Sequence, residues 1–500
     1  MFRVPHHDPA SISWPLGRRL NWVGAFRRLV ATHQDDLIEA MHTDIAKPRF
    51  EGLVGDVAPL LAACAWIEKH GARILKPRRL PGGGVLSTAV RGIVTRAPLG
   101  RIAIIATWNY PVQLLGIELV QAIAAGNRVT VKPSENAPHS QTLLLDLALE
   151  AGRESQMPDG WLTRTDASRE AGASLLRDNA FDHVVFTGST NVGRAIAETL
   201  APRLTSSTLE LSGRDSAFVL SDADAELAAD AIWNGITMNA GQTCMAPRRA
   251  LVEERVYAEF VRRLMARAGA ARPLPLVNER AAGEIHALAV QAHEQGCRSL
   301  SGVVEPPTAD AQGIRRLIRP MVFADCPRNA TLIEGRHFGP LLAVVRVANL
   351  EDALALHDSV DQVLATSVFT KDPSRVDAFR ERLRSTIVTV NDCLTPTAHA
   401  SVGLSGHGAS GWGVTKGEEG LLAMTRPMYT TTTAPLLRFS MSSVTPAIEQ
   451  GMAKFVRWWF GGKRPGQQPR RDAASTVAVA PLSEHRPRHA EAASSHTGNA

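Results

Sequence analysis

The 500-residue chain has little cysteine: five residues, at 64, 244, 297, 326 and 393. No two form a Cys-x-x-Cys pair, so neither a zinc site nor a disulfide framework is suggested, and no metal site is expected. Such usage fits a reducing compartment and hence the cytoplasm. Aromatic residues make up only 5% of the chain. No basic stripe with interleaved aromatics runs through the body, so a nucleic-acid partner is not expected. Long apolar runs are missing too: none reaches about 18 residues, the length that argues for a bilayer-spanning helix. The N-terminus has no basic-then-apolar signal pattern. The net charge of +6 is uneven, because residues 461–500 carry +3 of it.

Hydrophobic content of 44% and charged content of 21% are those of a soluble globular protein. The length leaves room for about three domains, or two large ones with appendages. Residues 1–17 are polar and read as loose, with His6-His7 most simply solvated. Helical spacing runs over Leu20–Ala46 and Val57–Ile74. The breakers of Pro77–Gly84 precede a β-ribbon arm over Val85–Ala97.

A strand–helix alternation then begins. The apolar run Ile102–Ala106 predicts a strand ending in Thr107-Trp108-Asn109-Tyr110-Pro111, with a helix over 112–125. Val129–Val131 predicts a strand ending in Lys132-Pro133-Ser134-Glu135, and His183–Phe186 one ending in Thr187-Gly188-Ser189-Thr190. The segment Thr208–Gly213 closes this half. A second α/β unit starts at Ala217, with helices at 256–268, 279–295 and 373–384 and strands near 321–324, 341–347, 363–369 and 386–390. The fold class expected is α/β with two doubly wound units. Ligands then bind at the carboxyl ends of the strands, where the polar, Gly and Pro residues lie.

The second unit carries Asn239-Ala240-Gly241-Gln242-Thr243-Cys244-Met245-Ala246-Pro247. Glycine lets the backbone approach a ligand, and the small Thr243 leaves the sulfur open. A cysteine in such a place is a candidate nucleophile, since thiolate is the strongest nucleophile among side chains near neutral pH.

Seven stretches in order now resemble the aldehyde dehydrogenase superfamily: Trp-Asn-Tyr-Pro (108–111), Val-Lys-Pro-Ser-Glu (131–135), Phe-Thr-Gly-Ser-Thr (186–190), Leu-Glu-Leu-Ser-Gly (209–213), Gly-Gln-Thr-Cys (241–244), Phe-Gly-Pro (338–340) and Gly-Ala-Ser-Gly-Trp-Gly (408–413). The likeness covers roughly residues 20–430 and is nearest to the class-3 branch. It implies a Rossmann-like cofactor domain (1–79 and 98–212), a catalytic domain (213–395) and a small β oligomerisation arm (80–97 and 396–435). It also implies a homodimer or homotetramer.

The implied chemistry is oxidation of an aldehyde to its acid. Cys244 attacks the carbonyl to form a thiohemiacetal. The Asn109 amide and the Cys244 N–H hold the oxyanion, and Glu210 activates water to hydrolyse the thioester. NAD is the expected cofactor, with NADP as the alternative. Lys132 and Glu135 would grip a ribose, and a carboxylate there repels a 2′-phosphate. Gly188-Ser189 at a helix start suits a pyrophosphate. The resemblance adds Trp108, Ser134, Gly193, Leu211 and Phe338 to the cofactor set. Two competing readings are an acylating enzyme that passes the acyl group to coenzyme A, and a non-catalytic scaffold subunit. Retention of Glu210 argues against the first.

Departures motivate the second. Arg336 stands where the family usually has the glutamate that holds the nicotinamide ribose, with Glu334 as a candidate substitute. Ser212 and Arg214 replace a glycine and a lysine. Past the body, Thr445-Pro446 opens an amphipathic helix over 443–462 with basic residues and Trp458-Trp459. It would either dock on protein or make a peripheral membrane contact. Residues 463–500 read as a disordered tail.

Overall fold

Strands that are apolar on both faces need cover on both faces, and this chain provides it by building two parallel sheets layered with helices. The computed structural model describes residues 14–81, 90–433 and 444–461. His6-His7 and the other residues before Trp14, the first part of the expected arm from Val85, and the tail 463–500 lie outside these. The chain divides into two compact units, one ending at Thr432 and one beginning at Thr433.

In the first unit, a six-stranded sheet has the spatial order Gly411–Trp412, Ser206–Leu211, His183–Gly188, Arg101–Ile105, Arg128–Lys132, Leu162–Arg164. All pairs are parallel except Gly411–Trp412 against Ser206–Leu211. From Arg101–Ile105 the chain crosses first to one neighbour, Arg128–Lys132, and later returns to the other, His183–Gly188. That reversal makes the carboxyl end of Arg101–Ile105 a topological switch point, where open α/β sheets bind ligands. The period of two is visible in the packing. Ile102 and Ile104 join one core with Trp22, Phe26 and Leu115. Ala103 and Ile105 face the other, with Leu175, Phe186 and Leu211.

A seven-stranded sheet has the order Arg298–Ser299, Met321–Ala324, Leu341–Val347, Arg249–Glu253, Ser216–Val219, Ala365–Phe369, Ile387–Val390. Its central strand, Arg249–Glu253, is absent from the sequence expectation because two arginines open it. Both Arg248 and Arg249 are fully buried. The expected helix 373–384 is a correction. It is one turn, Ser374–Asp377, and a separate 3₁₀ turn, Arg380–Arg382. Phe379 leaves the helical region (φ −132°) between them, with its ring buried near Phe218. The helices Ala225–Thr237 and Leu350–Asp358 were also not anticipated.

A smaller sheet sets Val90–Pro98 between Arg78–Arg79 and Thr425–Thr433. The helical stretch Arg49–Leu75 has the length and hydropathy (27 residues, mean 1.5) that a bilayer-crossing helix needs. Leu60, Cys64 and Ile67 are buried in the main core, which makes it a core helix. In the second unit, helix Pro446–Gly461 is opened by the Thr445 hydroxyl, which accepts the Ile448 N–H at 3.4 Å.

Candidate active site

The cysteine loop owes its shape to three consecutive left-handed residues, Asn239, Ala240 and Gly241 (φ 51°, 51° and 68°). A Cβ on Gly241 would lie 2.6 Å from the Gly339 carbonyl oxygen, so only glycine lets the loop pack on the Phe338-Gly339-Pro340 turn. The buried Arg248 guanidinium holds both segments. It donates to the carbonyls of Gly241 (2.9 Å), Thr243 (2.8 Å) and Gly339 (3.4 Å). Cys244 itself is half-buried, and its carbonyl accepts the Gly213 N–H at 3.1 Å. Burial pushes its thiol up to about 12, the charges of Glu210 and Asp215 add to this, and Arg248 opposes them.

Asn109 lies beside this loop. Its amide nitrogen donates to the Gln242 carbonyl at 3.1 Å, and its side-chain oxygen accepts the Thr107 hydroxyl at 3.1 Å. Its own carbonyl accepts Asn239 Nδ2 (2.9 Å) and Lys47 Nζ (2.7 Å). Lys47 and Asp56 form an ion pair of 2.6 Å with no side-chain exposure. Asp56 comes from a π-helical insertion, Leu53–Val57, and accepts the N–H groups of Val112 and Gln113. Such insertions are frequent at functional sites. Tyr110 hydrogen-bonds Thr243 at 2.7 Å.

Glu210, on strand Ser206–Leu211, is buried and accepts the Thr415 hydroxyl. Burial raises its carboxyl to about 7, while the Thr415 and Thr187 hydroxyls and the Lys416 charge pull it back. Cys244 and Thr415 line one cavity of about 240 Å³, together with Tyr110, Ile117, Met245, Leu394, Val402, Leu404 and Lys416.

The expected cofactor residues fall at three places. Lys132 ends its strand and donates to Glu135 at 3.1 Å, and Arg169 holds the other carboxylate oxygen at 2.8 Å. Ser134 N–H donates to Gln141, which also donates to the Thr107 and Pro111 carbonyls, fixing this turn to the Trp108 loop. Gly188 ends the next strand and Ser189 caps helix Thr190–Leu200. A cavity of about 380 Å³ opens there, lined by Gly193, Leu211, Gly408 and Trp412 among others. Trp108 and Phe338 meet edge to face at 5.8 Å beside a third cavity, shared with Gln242, Glu284, Arg336 and His337.

The family model described as the aldehyde dehydrogenase family matches residues 8–429. The chain belongs to the aldehyde dehydrogenase family. It is 31% identical over 418 residues to a probable coniferyl aldehyde dehydrogenase of Pseudomonas aeruginosa, which spans 82% of this chain and 85% of that protein. It is 28% identical over 407 residues to aldehyde dehydrogenase family 3 member A2 of Rattus norvegicus, 81% and 82% of the two chains. Among solved structures, an NADP-dependent enzyme of E. coli superposes with a TM-score of 0.78 at 27% identity, covering 85% and 88%. The protein is therefore an oxidoreductase, an aldehyde dehydrogenase that uses NAD or NADP.

The residues of this aldehyde dehydrogenase fit a nicotinamide dinucleotide. The cavity at a helix start suits phosphate oxygens, and the Lys132–Glu135 pair offers both a donor and an acceptor to ribose hydroxyls. The His337 ring nitrogens are buried beside the Trp108–Phe338 cavity that His337 helps to line. Two departures gain physical accounts. Ser212 has no positive φ, so serine sits there unstrained, and its carbonyl accepts Gln362 Nε2 and the Ser410 hydroxyl. Glu334 is ion-paired to Arg336 at 2.8 Å and lines a different cavity, with Arg214 and Arg328. Sequence reasoning missed Lys47, Asp56, Arg248, Thr415 and Lys416, all buried polar residues. It missed Glu118 as well, although a lone charge in the otherwise uncharged, mostly apolar run 114–125 was a readable signal.

Proposed function

We propose that this aldehyde dehydrogenase converts an uncharged, apolar aldehyde to its carboxylic acid at Cys244, with NAD preferred over NADP. The observation that carries this reading is one cavity with an apolar wall, into which Cys244 and the Glu210 partners Thr415 and Lys416 all open. Few groups there would compensate a second charge, and burying an unpaired one is costly.

The thiol, pushed up to about 12, is neutral at rest. It must lose its proton as sulfur bonds to the carbonyl carbon, and Glu210 and Asp215, both near 7, are the buried carboxyls whose charges reach it, so that either can take it. The Asn109 amide and the Cys244 N–H then stabilise the oxyanion, an effect typically worth about 3–4 kcal/mol per lost donor. NAD, when bound, supplies the hydride acceptor. Lys132, Ser134, Glu135, Gly188, Ser189, Gly193 and Leu211 would hold its adenosine and phosphate parts, and Trp108 and Phe338 its other end. The Glu135 carboxylate supports the preference for NAD. Cys244 now carries a thioester. The proton taken from the thiol leaves to solvent; Glu210 then takes a proton from water, the water oxygen bonds to the acyl carbon, the C–S bond breaks, and Glu210 gives its proton to the departing sulfur, returning the thiol and the acid.

Glu210→Gln decides between the readings. It should give one equivalent of reduced cofactor in a burst and then turn over about 10²- to 10⁴-fold more slowly. Rescue of that variant's turnover by coenzyme A favours the acylating reading. Absence of any burst in the wild type across an aldehyde panel favours the scaffold.

We assign residues 1–79 and 98–212 to the cofactor half and 213–395 to the catalytic half. Residues 80–97 and 396–435 we assign to the arm. Self-association follows from Thr425–Thr433, an edge strand exposed along nearly all its length. Such an edge is a template for a second copy. Native mass measurement showing only monomer would refute this. A cytoplasmic setting is consistent with the five unpaired cysteines among the described residues.

A further inference from the structure

Glu118 is a carboxylate that the mechanism above does not use. It lies on helix Gln113–Ala125, where every residue from Leu114 onward is buried, and it is itself 2% exposed. A charge in such a helix is expensive unless it is paired. Its partner is a hydroxyl: Thr187 Oγ1 donates to Glu118 Oε1 at 3.0 Å. Thr187 is also the register partner of Glu210 on the neighbouring parallel strand. The two side chains therefore stand side by side on one face of the sheet. Two buried carboxyls thus flank one threonine.

Glu210 has the better support as an anion. Thr415 donates to its Oε1, and the Lys416 ammonium faces it from the loop before the last helix of the first unit. Cys244 faces it from the cysteine loop, neutral at rest. Like charges so close cannot both be held near neutral pH, so one proton stays in the pair.

We propose that Glu118 and Glu210 share a single proton that rests on Glu118, so that Glu210 is kept as the ionised member that hydrolysis requires. Glu118 is a positioning residue in this account: it acts through Glu210 and touches no reacting atom. The account rests on the reading of Glu210 as the water-activating base. The electrostatics agree with the geometry. Burial and then the Glu210 charge raise the Glu118 carboxyl well above its usual range. The pair should titrate in two steps that belong to both residues. The lower step ionises Glu210. The upper one ionises Glu118, and the new anion makes Glu210 a stronger base.

The test uses the full-length enzyme with NAD and a burst-competent aldehyde. The steady-state rate after the burst is followed against pH for wild type, Glu118→Gln and Glu210→Gln. Wild type should rise near pH 7 and rise again at higher pH. Glu118→Gln, a neutral isostere of the resting state, should retain the lower limb and lose the upper one. Infrared difference spectra at neutral pH give an independent readout: a protonated-carboxyl band, shifted by D₂O, present in wild type and lost in Glu118→Gln. Superimposable pH profiles together with no lost band would overturn the proposal. If Glu210→Gln also leaves hydrolysis unchanged, it is the assignment of Glu210 that fails. If the band is lost while the Glu210→Gln rate is normal, the shared proton stands without its catalytic use.

Discussion

Replacing Lys47 by Met tests how the Asn109 loop is anchored. Lys47 Nζ reaches Asp56 at 2.6 Å and the Asn109 carbonyl at 2.7 Å, and lies 4.2 Å from the centre of the Tyr110 ring. Methionine keeps an unbranched apolar stem and removes the charge. Asp56 is then left as a buried carboxylate with no cation. Breaking a buried pair from one side typically costs about 3–5 kcal/mol. Two N–H groups, from Val112 and Gln113 at the start of a helix, still stabilise that anion. The cost should therefore fall near the lower end, about 3 kcal/mol. Asp56→Asn strands an ammonium with only a carbonyl and a ring face, and should reach the upper end. The double variant removes both charges and should cost about 3 kcal/mol less than the sum of the singles. In a cooperative unit of roughly 200 residues, 3 kcal/mol corresponds to about 6–12 °C in Tm. Differential scanning calorimetry at one protein concentration measures all three variants. Singles costing under about 1 kcal/mol, or an additive double, would show that the pair is not the anchor.

The same geometry makes two further predictions. Buried titratable groups of opposite tendency should flatten stability against pH. Asp215 and Glu210 are raised to about 7 by burial, so their contribution is full below their unfolded values near 4 and is lost as pH rises through 7. His183 and His357 are lowered by burial to about 4 and 3; their contribution is full above 6.5 and is lost as pH falls toward 4. Tm should be nearly level from pH 4.5 to 6.5, and Asp215→Asn should make it climb with pH there. An unchanged slope in that variant would refute the assignment. Separately, helix Pro446–Gly461 exposes Ile448, Val456, Trp458, Trp459 and Phe460, a set suited to a bilayer surface when joined to its basic residues. Anionic liposomes should co-sediment the full chain more than a 1–440 truncation; equal sedimentation removes the membrane contact.

What the sequence revealed and what it hid divide along a physical line. Short apolar runs ending in polar or glycine residues announced the strands of the six-stranded sheet, because a strand buried on both faces leaves an unbroken signature. Arg249–Glu253 gave no such warning. Its first residue is a fully buried arginine whose guanidinium donates to the Leu356 carbonyl at 3.0 Å, and burial of that kind depends on a partner over a hundred residues away. The helix expected at 373–384 failed for the converse reason. Local propensity favoured it, and the buried Phe379 ring overrode the local preference.

The site shows the same division more sharply. Cys244, Glu210 and Asn109 stood out as candidates because each sits in a loop or strand end whose neighbours are chemically unusual. The residues that set their charge states were not. Lys416 resembles a surface lysine, yet it is buried, lowered to about 8 by that burial and pulled up again by Glu210. Glu118 precedes Glu210 by most of the cofactor half, and only the crossover from helix Gln113–Ala125 to the central strands sets them on either side of Thr187. A carboxylate in an apolar helix foretells that some compensation exists, since an unpaired buried anion would unfold the helix or take up a proton. It does not foretell which residue provides it. In the proposed mechanism, where Glu210 must switch charge within each turnover, those compensating groups decide the working pH, and they become legible only once the sheet topology fixes which side chains are neighbours.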